Sequence, residues 1–339
     1  MTAPISVAPG APPPVADERG AILDVTDLTV MFPTERGAIR PVHDVTFSVE
    51  HGQTLGIVGE SGSGKSVSLR ALLVLVPSPG RIESGHIRFE GRELVGATAA
   101  ELRAMRGRDI GMIFQDPMAS LNPVLTVGDQ LTEVIRVKLG LGRRAATDRA
   151  VELFERVGIH PASTRLRSYP HQFSGGMAQR VMIAIAVATR PRLLLADEPT
   201  TALDVSVQDQ VLDLLEDLRR EEGMSMIIVS HDIGIIARTC DAVAVMYAGR
   251  LLERGTVDQV LRRPRHPYTR MLLATVPSLK PNVDGTRLTS IAGQLPDLAT
   301  LTMGCPFAPR CAQALPSCST LDLTLDQPTD AHVSACPVA

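Results

Sequence analysis

The sequence predicts an α/β fold on three observations. A β-branched run feeds a glycine-rich loop and an apolar helix, a second apolar run ends in two carboxylates, and strand-like and helix-like segments alternate around both. The first run is TLGIVG (Thr54 to Gly59), and the loop GESGSGKS, from Gly59 to Ser66, fits G-x-x-x-x-G-K-[ST]. Gly59, Gly62 and Gly64 lack the Cβ that would keep backbone N–H groups away from phosphate oxygens, and they tolerate positive φ. Glu60, Ser61 and Ser63 complete the cradle, Lys65 can reach the β- and γ-phosphates, and the Ser66 hydroxyl can ligate Mg²⁺. Val67 opens an apolar segment of helical length that runs to Val76, so a helix N-terminus and its dipole point at the phosphates.

The second run is RLLLA (Arg192 to Ala196), apolar without alternation, as in a strand buried on both faces. It ends in Asp197 and Glu198, at the strand edge where open α/β sheets bind ligands. Asp197 is placed to hold the shell of a Mg²⁺ ion, usually through water because that ion dehydrates reluctantly. Glu198 is placed to polarise an attacking water. Alone, such an acidic pair is an ordinary strand-end cap or solvated turn; joined to the Lys65 loop it reads as a catalytic site for a nucleoside triphosphate.

Further strings carry a family resemblance. Phe32 lies ahead of the loop, Gln115 follows the strand-like DIGMIF, FSGGMAQR spans Phe173 to Arg180, TALD spans Thr201 to Asp204, and His231 follows MSMIIVS. In order and spacing these resemble the ATPase subunits of ABC transporters, over Ile22 to Pro277. The resemblance implies a P-loop ABC ATPase with a RecA-like core, an antiparallel β-subdomain and an inserted α-helical subdomain, plus a small Cys-rich C-terminal extension. It also implies that Phe32 stacks on adenine, that Gln115 joins Ser66 and Asp197 around Mg²⁺, and that His231 contacts the γ-phosphate. Ser174, Gly175 and Gly176, with Asp204, would meet the ATP held by a partner subunit.

On the residues alone, Phe32 reads equally as core, and a histidine after a strand reads as a structural hydrogen-bonder. Ser174 before MAQRVMIAIAVA is also an ordinary N-cap, which accounts for the serine but not for two glycines. One departure stands out: Ala178 occupies a position where the family usually has a basic residue. The exchange removes a charge near the helix start and leaves Ser174 and both glycines intact.

At 339 residues, and about 150 per domain, the chain suggests two units, and 44% hydrophobic residues suffice for a core. A net charge of −3 with 21% charged residues shows no basic excess, which argues against a nucleic-acid partner. Arg262, Arg263 and Arg265 read as a helix C-terminal run. The longest apolar stretch, VMIAIAVAT (Val181 to Thr189), falls well short of the about 20 residues a membrane span needs and is flanked by Arg180 and Arg190. The N-terminus lacks the basic and apolar regions of a signal peptide, and residues 1–20, rich in Pro and Ala, are expected to be disordered.

Two alternating strands, Ile22 to Phe32 and Val42 to Glu50, precede the loop, and HIRFEG adds a third. Leu121 to Leu166 reads as mostly helical, interrupted at GLGRR, and αβ alternation resumes through AVAVMYAGRLLERG (Ala242 to Gly255). The expected domains are an ATPase domain over 21–265, with its helical subdomain at 116–170, and an extension over 266–339.

QDPMASLNPVLTVGDQL (Gln115 to Leu131), HPYTRMLLATVP (His266 to Pro277) and GCPFAPRC (Gly304 to Cys311) resemble the ATP-binding subunits of oligopeptide/dipeptide permeases. That resemblance implies an ATPase on the cytoplasmic face of the membrane that energises import of short peptides. Its partners would be a second ATPase subunit, identical or paralogous, and two transmembrane permease subunits, one seating a short helix near Gln115. An extracytoplasmic peptide-binding protein would act indirectly. The alternatives are a soluble ABC ATPase uncoupled from transport, an importer ATPase for nickel or another solute, and a metal- or redox-sensing module.

Four of the five cysteines fall at Cys305, Cys311, Cys318 and Cys336, spaced C-x5-C-x6-C-x17-C. Four thiolates match a 4Fe–4S cluster or zinc. The spacing lacks the tight pairs of zinc ribbons, and free thiols remain the alternative because a reducing cytosol disfavours disulfides. Cys240 reads as a small buried hydrophobe, and His332 as a surface residue or substitute ligand.

Overall fold

The computed structural model describes residues 20–35, 37–201, 203–275, 291, 293–299, 301, 304–321, 323, 325 and 332–337. Of the tail expected to be disordered over residues 1–20, all but Gly20 lie outside the described residues. The chain divides into two compact units, Met1–Gly96 with Ser230–Ala339, and Ala97–Val229.

The first unit opens with β1 (Ala21–Thr34) and β2 (Gly37–Glu50), paired antiparallel from Thr34↔Gly37 to Ala21↔Glu50. Alternation in period two, interrupted by a bulge between Val25 and Leu28, turns Leu23, Val25, Leu28 and Val30 inward with Val42, Val45, Phe47 and Val49, all at most 1% exposed. Each such side chain contributes about 1.5–3 kcal/mol by burial. After β3 (Thr54–Val58) and α1 (Lys65–Leu72), β4 (Arg81–Phe89) pairs antiparallel with β1, and β5 (Arg92–Glu93) completes a sheet of order β2-β1-β4-β5. Helix α1 stops short of the expected Val76. Val74 takes φ 52, a conformation a β-branched residue rarely adopts, and Leu75 N–H turns back to Arg70 O at 2.9 Å.

The second unit runs α2 (Ala99–Met105), β6 (Ile110–Ile113), α3 (Pro117–Ser120), α4 (Val127–Leu139), α5 (Arg143–Arg156), α6 (Ala162–Arg165), α7 (Gly175–Val187), β7 (Leu193–Asp197), α8 (Val205–Glu222) and β8 (Ser225–Ser230). Strands β6, β7 and β8 pair in parallel, with Leu193 opposite both Ile110 and Ser225. Residues 121–166 are mostly helical, and Gly140, at φ 69, ends α4. The apolar stretch at Val181 lies in α7, where Val181, Ile183 and Ala184 are 0% exposed. No helix among the described residues is long and apolar enough to cross a membrane.

The first unit resumes with α9 (Ile233–Thr239), β9 (Ala242–Tyr247), β10 (Arg250–Thr256), α10 (Val257–Arg262), α11 (Pro267–Ala274) and β11 (Val333–Ser334). Strand β9 lies parallel to β3 with Leu55 opposite Ala242, β10 folds back antiparallel to β9, and β11 adds to β10. Ala242 to Gly255 is therefore a hairpin and not continued αβ alternation; Ala248 and Gly249, at φ 47 and 84, make the turn. Arg262 lies in the last turn of α10, as expected of a cation.

His332 is not at the surface. Its side chain is 8% exposed, with Nε2 2.7 Å from Oε1 of the fully buried Glu253. Glu253 also accepts the N–H groups of Arg265 and His266 at 2.8 and 2.9 Å, which accounts for an otherwise costly buried carboxylate.

Candidate active site

In the first unit, the fully buried β3 delivers the chain into the loop from Gly59 to Ser66. The loop sits on the β9–β10 turn: Gly249 N–H donates to Ser63 O at 2.9 Å, and Ser63 N–H to Glu60 O at 3.1 Å. A Cβ at Gly59 would lie 2.0 Å from Met246 O, and one at Gly64, where φ is 105, 1.9 Å from Pro41 O. These two glycines are thus demanded by close backbone approach within the protein itself. A Cβ on Gly62, at φ 80, would meet only Leu295 Cδ1, at 3.8 Å.

Lys65 is 5% exposed, and its Nζ donates to Gly59 O at 2.8 Å and Glu60 O at 3.0 Å, which curls the ammonium over its own loop. Ser63 is fully buried, and its Oγ finds no hydrogen-bond partner among the described residues. Ser61 is exposed, and Ser66 and Val67 are half-buried in the first turn of α1, whose N-cap, Gly64, has no side chain to cap it. A glycine cradle, a buried cation and a helix N-terminus together fit a bound triphosphate.

In the second unit, Asp197 ends β7 at 1% exposure, and Glu198 follows in the left-handed region at φ 46. Gln115 Nε2 donates to Glu198 Oε2 at 3.2 Å, and Thr201 Oγ1 donates to the same oxygen at 2.8 Å. The structure therefore brings Gln115 and Glu198 together and adds Thr201, which the sequence reading passed over within TALD.

Ser174 caps α7, its Oγ accepting Met177 N–H at 3.4 Å. A Cβ on Gly176 would come within 2.7 Å of Val207 Cγ1, so this glycine lets α7 approach α8. Ala178 is fully buried. Asp204 caps α8 through Val207 N–H at 3.0 Å and accepts the Ser206 hydroxyl at 2.8 Å; these bonds, the Val207 one first, hold its carboxyl below the usual range.

His231 is exposed just beyond β8, and Asp232 after it caps α9 by accepting Gly234 N–H at 2.7 Å. Phe32 is half-buried near the end of β1, where its ring packs so close to Gly80 that a Cβ there would lie 2.4 Å from it. Cys240 is likewise only half-buried, against Gly56.

All five cysteines are free thiols. Cys305 N–H donates to Cys318 O at 2.7 Å, and burial pushes the Cys305 thiol up to about 11. Among the described residues no group of three or more His, Cys, Asp or Glu is arranged to hold a metal ion. None of Cys305, Cys311, Cys318 and Cys336 belongs to such a group. Tyr268 and Arg310, also unforeseen, bind Glu60 of the phosphate loop.

Fold and site define an ATP-binding cassette. The profile described as "ABC transporter" matches residues 42–201, and "Oligopeptide/dipeptide transporter, C-terminal region" matches residues 252–318. The chain belongs to the ATP-binding subunits of ABC transporters, in their oligopeptide/dipeptide branch. It is 49% identical over 295 residues to the oligopeptide transport ATP-binding protein OppD of Bacillus subtilis (strain 168), covering 87% of this chain and 82% of that protein. With the OppD of Escherichia coli (strain K12) it shares 45% over 333 residues, 98% of each.

Among solved structures, an ATP-binding cassette captured as a dimer with ADP and Pi, in a post-hydrolysis state, aligns at a TM-score of 0.63. It is 26% identical and covers 69% of this chain and 98% of its own. The cassette cbiO1 of Clostridium perfringens, part of an ABC transporter complex, aligns at 0.60 with 27% identity over 72% and 91% of the two chains.

Proposed function

We propose that the chain is the ATP-hydrolysing subunit that energises an ABC importer of di- and oligopeptides. The observation that carries this is the pairing of a phosphate-loop cassette with the oligopeptide/dipeptide C-terminal region in one chain. In this reading residues 21–265 are the ATPase domain, 116–170 its helical subdomain and 266–339 the extension.

Gly59 to Val67 hold the ATP phosphates, Lys65 carries the compensating charge, and Phe32 stacks on adenine. Ser66, Asp197 and Gln115 would hold Mg²⁺, which when bound neutralises charge developing on the phosphate oxygens. Glu198 accepts a proton from the attacking water, and support for that role comes from Gln115 and Thr201, which both hold its Oε2. His231 contacts the γ-phosphate. Ser174, Gly175, Gly176 and Asp204 meet ATP held by a second ATPase subunit, identical or paralogous.

Closure of the two ATPases then acts on two transmembrane permease subunits at the cytoplasmic face, with an extracytoplasmic peptide-binding protein acting indirectly. Support for that docking comes from the apolar side chains beyond Gln115: Met118, Val124 and Leu125 are 42%, 76% and 38% exposed.

The test is reconstitution of the transporter with its binding protein. Peptide should stimulate ATP hydrolysis, and Glu198→Gln should cut turnover by about 10²–10⁴-fold while nucleotide stays bound. Parental turnover in Glu198→Gln would remove the general-base assignment. Stimulation by nickel instead of peptide would move the protein to the importer of another solute, and peptide-independent hydrolysis would favour the uncoupled ATPase.

For a 4Fe–4S cluster or zinc at Cys305, Cys311, Cys318 and Cys336, the support is spacing and resemblance. Anaerobic purification with iron, sulfide and zinc analysis decides it: about four iron and four sulfide per chain for the cluster, one zinc for the alternative, neither for free thiols.

A further inference from the structure

We infer that Arg310 is a positioning residue for the phosphate loop: it fixes Glu60 and neutralises its carboxylate, so that the loop offers Lys65 to a polyphosphate without a competing negative charge. The inference rests on the ATP-binding reading of that loop.

Glu60 is the second residue of the loop, and every polar group it carries is engaged. Its N–H donates to Tyr268 Oη at 2.9 Å. Its carbonyl accepts Lys65 Nζ at 3.0 Å and Ser63 N–H at 3.1 Å. Its carboxylate accepts both arms of one guanidinium, Arg310 Nη1 at 2.9 Å and Nη2 at 3.2 Å. Such a fork fixes direction as well as distance, which a single ammonium contact cannot do. Glu60 therefore transmits its own position to the ammonium of Lys65.

Arg310 is itself held before any ligand arrives. Nη1 also donates to Tyr247 Oη at 3.0 Å, Nη2 donates to Ile291 O at 3.2 Å, and the guanidinium lies 5.7 Å from the Tyr247 ring centre. Tyr247, Tyr268 and Phe307 pack with ring centres 4.6, 5.3 and 5.4 Å apart, so the segment carrying Arg310 is anchored beside the loop. The Arg310 side chain is 7% exposed and that of Glu60 22%.

Water screens such a carboxylate poorly, and left unpaired it would oppose a polyanion bound a few residues away. A simple staple of the fold would need no particular charge on Glu60. A charge-neutralising residue would, and that difference is measurable.

The experiment is a double-mutant cycle on the full-length chain with Mg²⁺ and the fluorescent analogue mant-ATP, comparing parent, Arg310→Gln, Glu60→Gln and the double variant. Arg310→Gln should weaken mant-ATP about tenfold, and the same change made on Glu60→Gln should cost less than about threefold. Arg310→Lys should fall between parent and Arg310→Gln, and added salt should narrow the gap between parent and Arg310→Gln.

Equal losses in both Glu60 backgrounds would make Arg310 a staple and overturn the proposal, as would parental affinity in Arg310→Gln. Should Arg310→Gln not fold, Arg310→Lys, which keeps the charge and loses the fork, must bind mant-ATP more weakly than the parent or the proposal fails. Lys65→Ala separates the two readings. If it binds mant-ATP as the parent does, the ATP site itself is misassigned. If it loses binding while Arg310→Gln keeps it, only the role of Arg310 is lost.

Discussion

Glu198 holds a backbone conformation that costs a non-glycine residue about 1–3 kcal/mol, at φ 46. Such strain persists where the surroundings over-determine it, and here they do: Glu198 N–H donates to Val229 O at 3.0 Å and Thr201 Oγ1 to its carboxylate at 2.8 Å. Thr201→Val keeps the shape and removes the hydroxyl. With Glu198 as the proposed base, we expect turnover to fall about tenfold at nearly constant KM for ATP, because misaiming such a group affects the chemical step more than binding. Steady-state ATPase kinetics check this, and a KM change without a turnover change would contradict it. The place of Glu198 at a strand end was legible in the sequence because an apolar run followed by two carboxylates is a local pattern. Thr201 lay in the same stretch, but which of its neighbours would turn towards Glu198 depends on a φ that no residue type announces.

At the scale of elements, the cap at Ser174 was read from a serine ahead of an apolar run, whereas the cap at Asp204 went unread within TALD. Asp204 also gives α8 a pH dependence. Its folded carboxyl titrates below the usual range, so its contribution is present above ordinary aspartate pKa values and is lost as pH falls through the lowered folded value. Asp204→Asn keeps a capping oxygen that cannot titrate. Thermal melts below about pH 4 should therefore show a shallower acid loss in Asp204→Asn than in the parent; identical slopes would refute the linkage. The early stop of α1 at Leu72 was not legible, because Val67 to Val76 holds neither Gly nor Pro and it is Val74 that takes the left-handed conformation which usually marks a glycine there. Nor was the grip on Glu60, whose partners Tyr268 and Arg310 lie 208 and 250 residues away in sequence. Long-range polar contacts leave no periodic trace.

For the molecule as a whole, the cassette was visible in its ordered motifs, whereas the attachment of the C-terminal segment was not. That segment is latched by His332 on Glu253, whose side chain is 0% exposed. His332→Ala leaves Glu253 with its two backbone donors but without its imidazole, and we expect a loss of about 2–3 kcal/mol in urea unfolding. An unchanged midpoint would show that water replaces the ring.

The division into units has a consequence for how the chain is made. Residues 97–229 are continuous, whereas the unit bearing the phosphate loop joins Met1–Gly96 to Ser230–Ala339. Within that unit β3 finds its parallel neighbour in β9, and Gly59 rests on Met246 O. A ribosome adding about 5–20 residues per second therefore exposes the loop sequence many seconds before its seat exists. Nascent chains arrested after Val229 should already yield a protease-resistant 97–229 fragment while residues 54–72 are still cleaved. Resistance there would appear only once β9 has emerged, which makes the nucleotide pocket one of the later parts of the protein to mature.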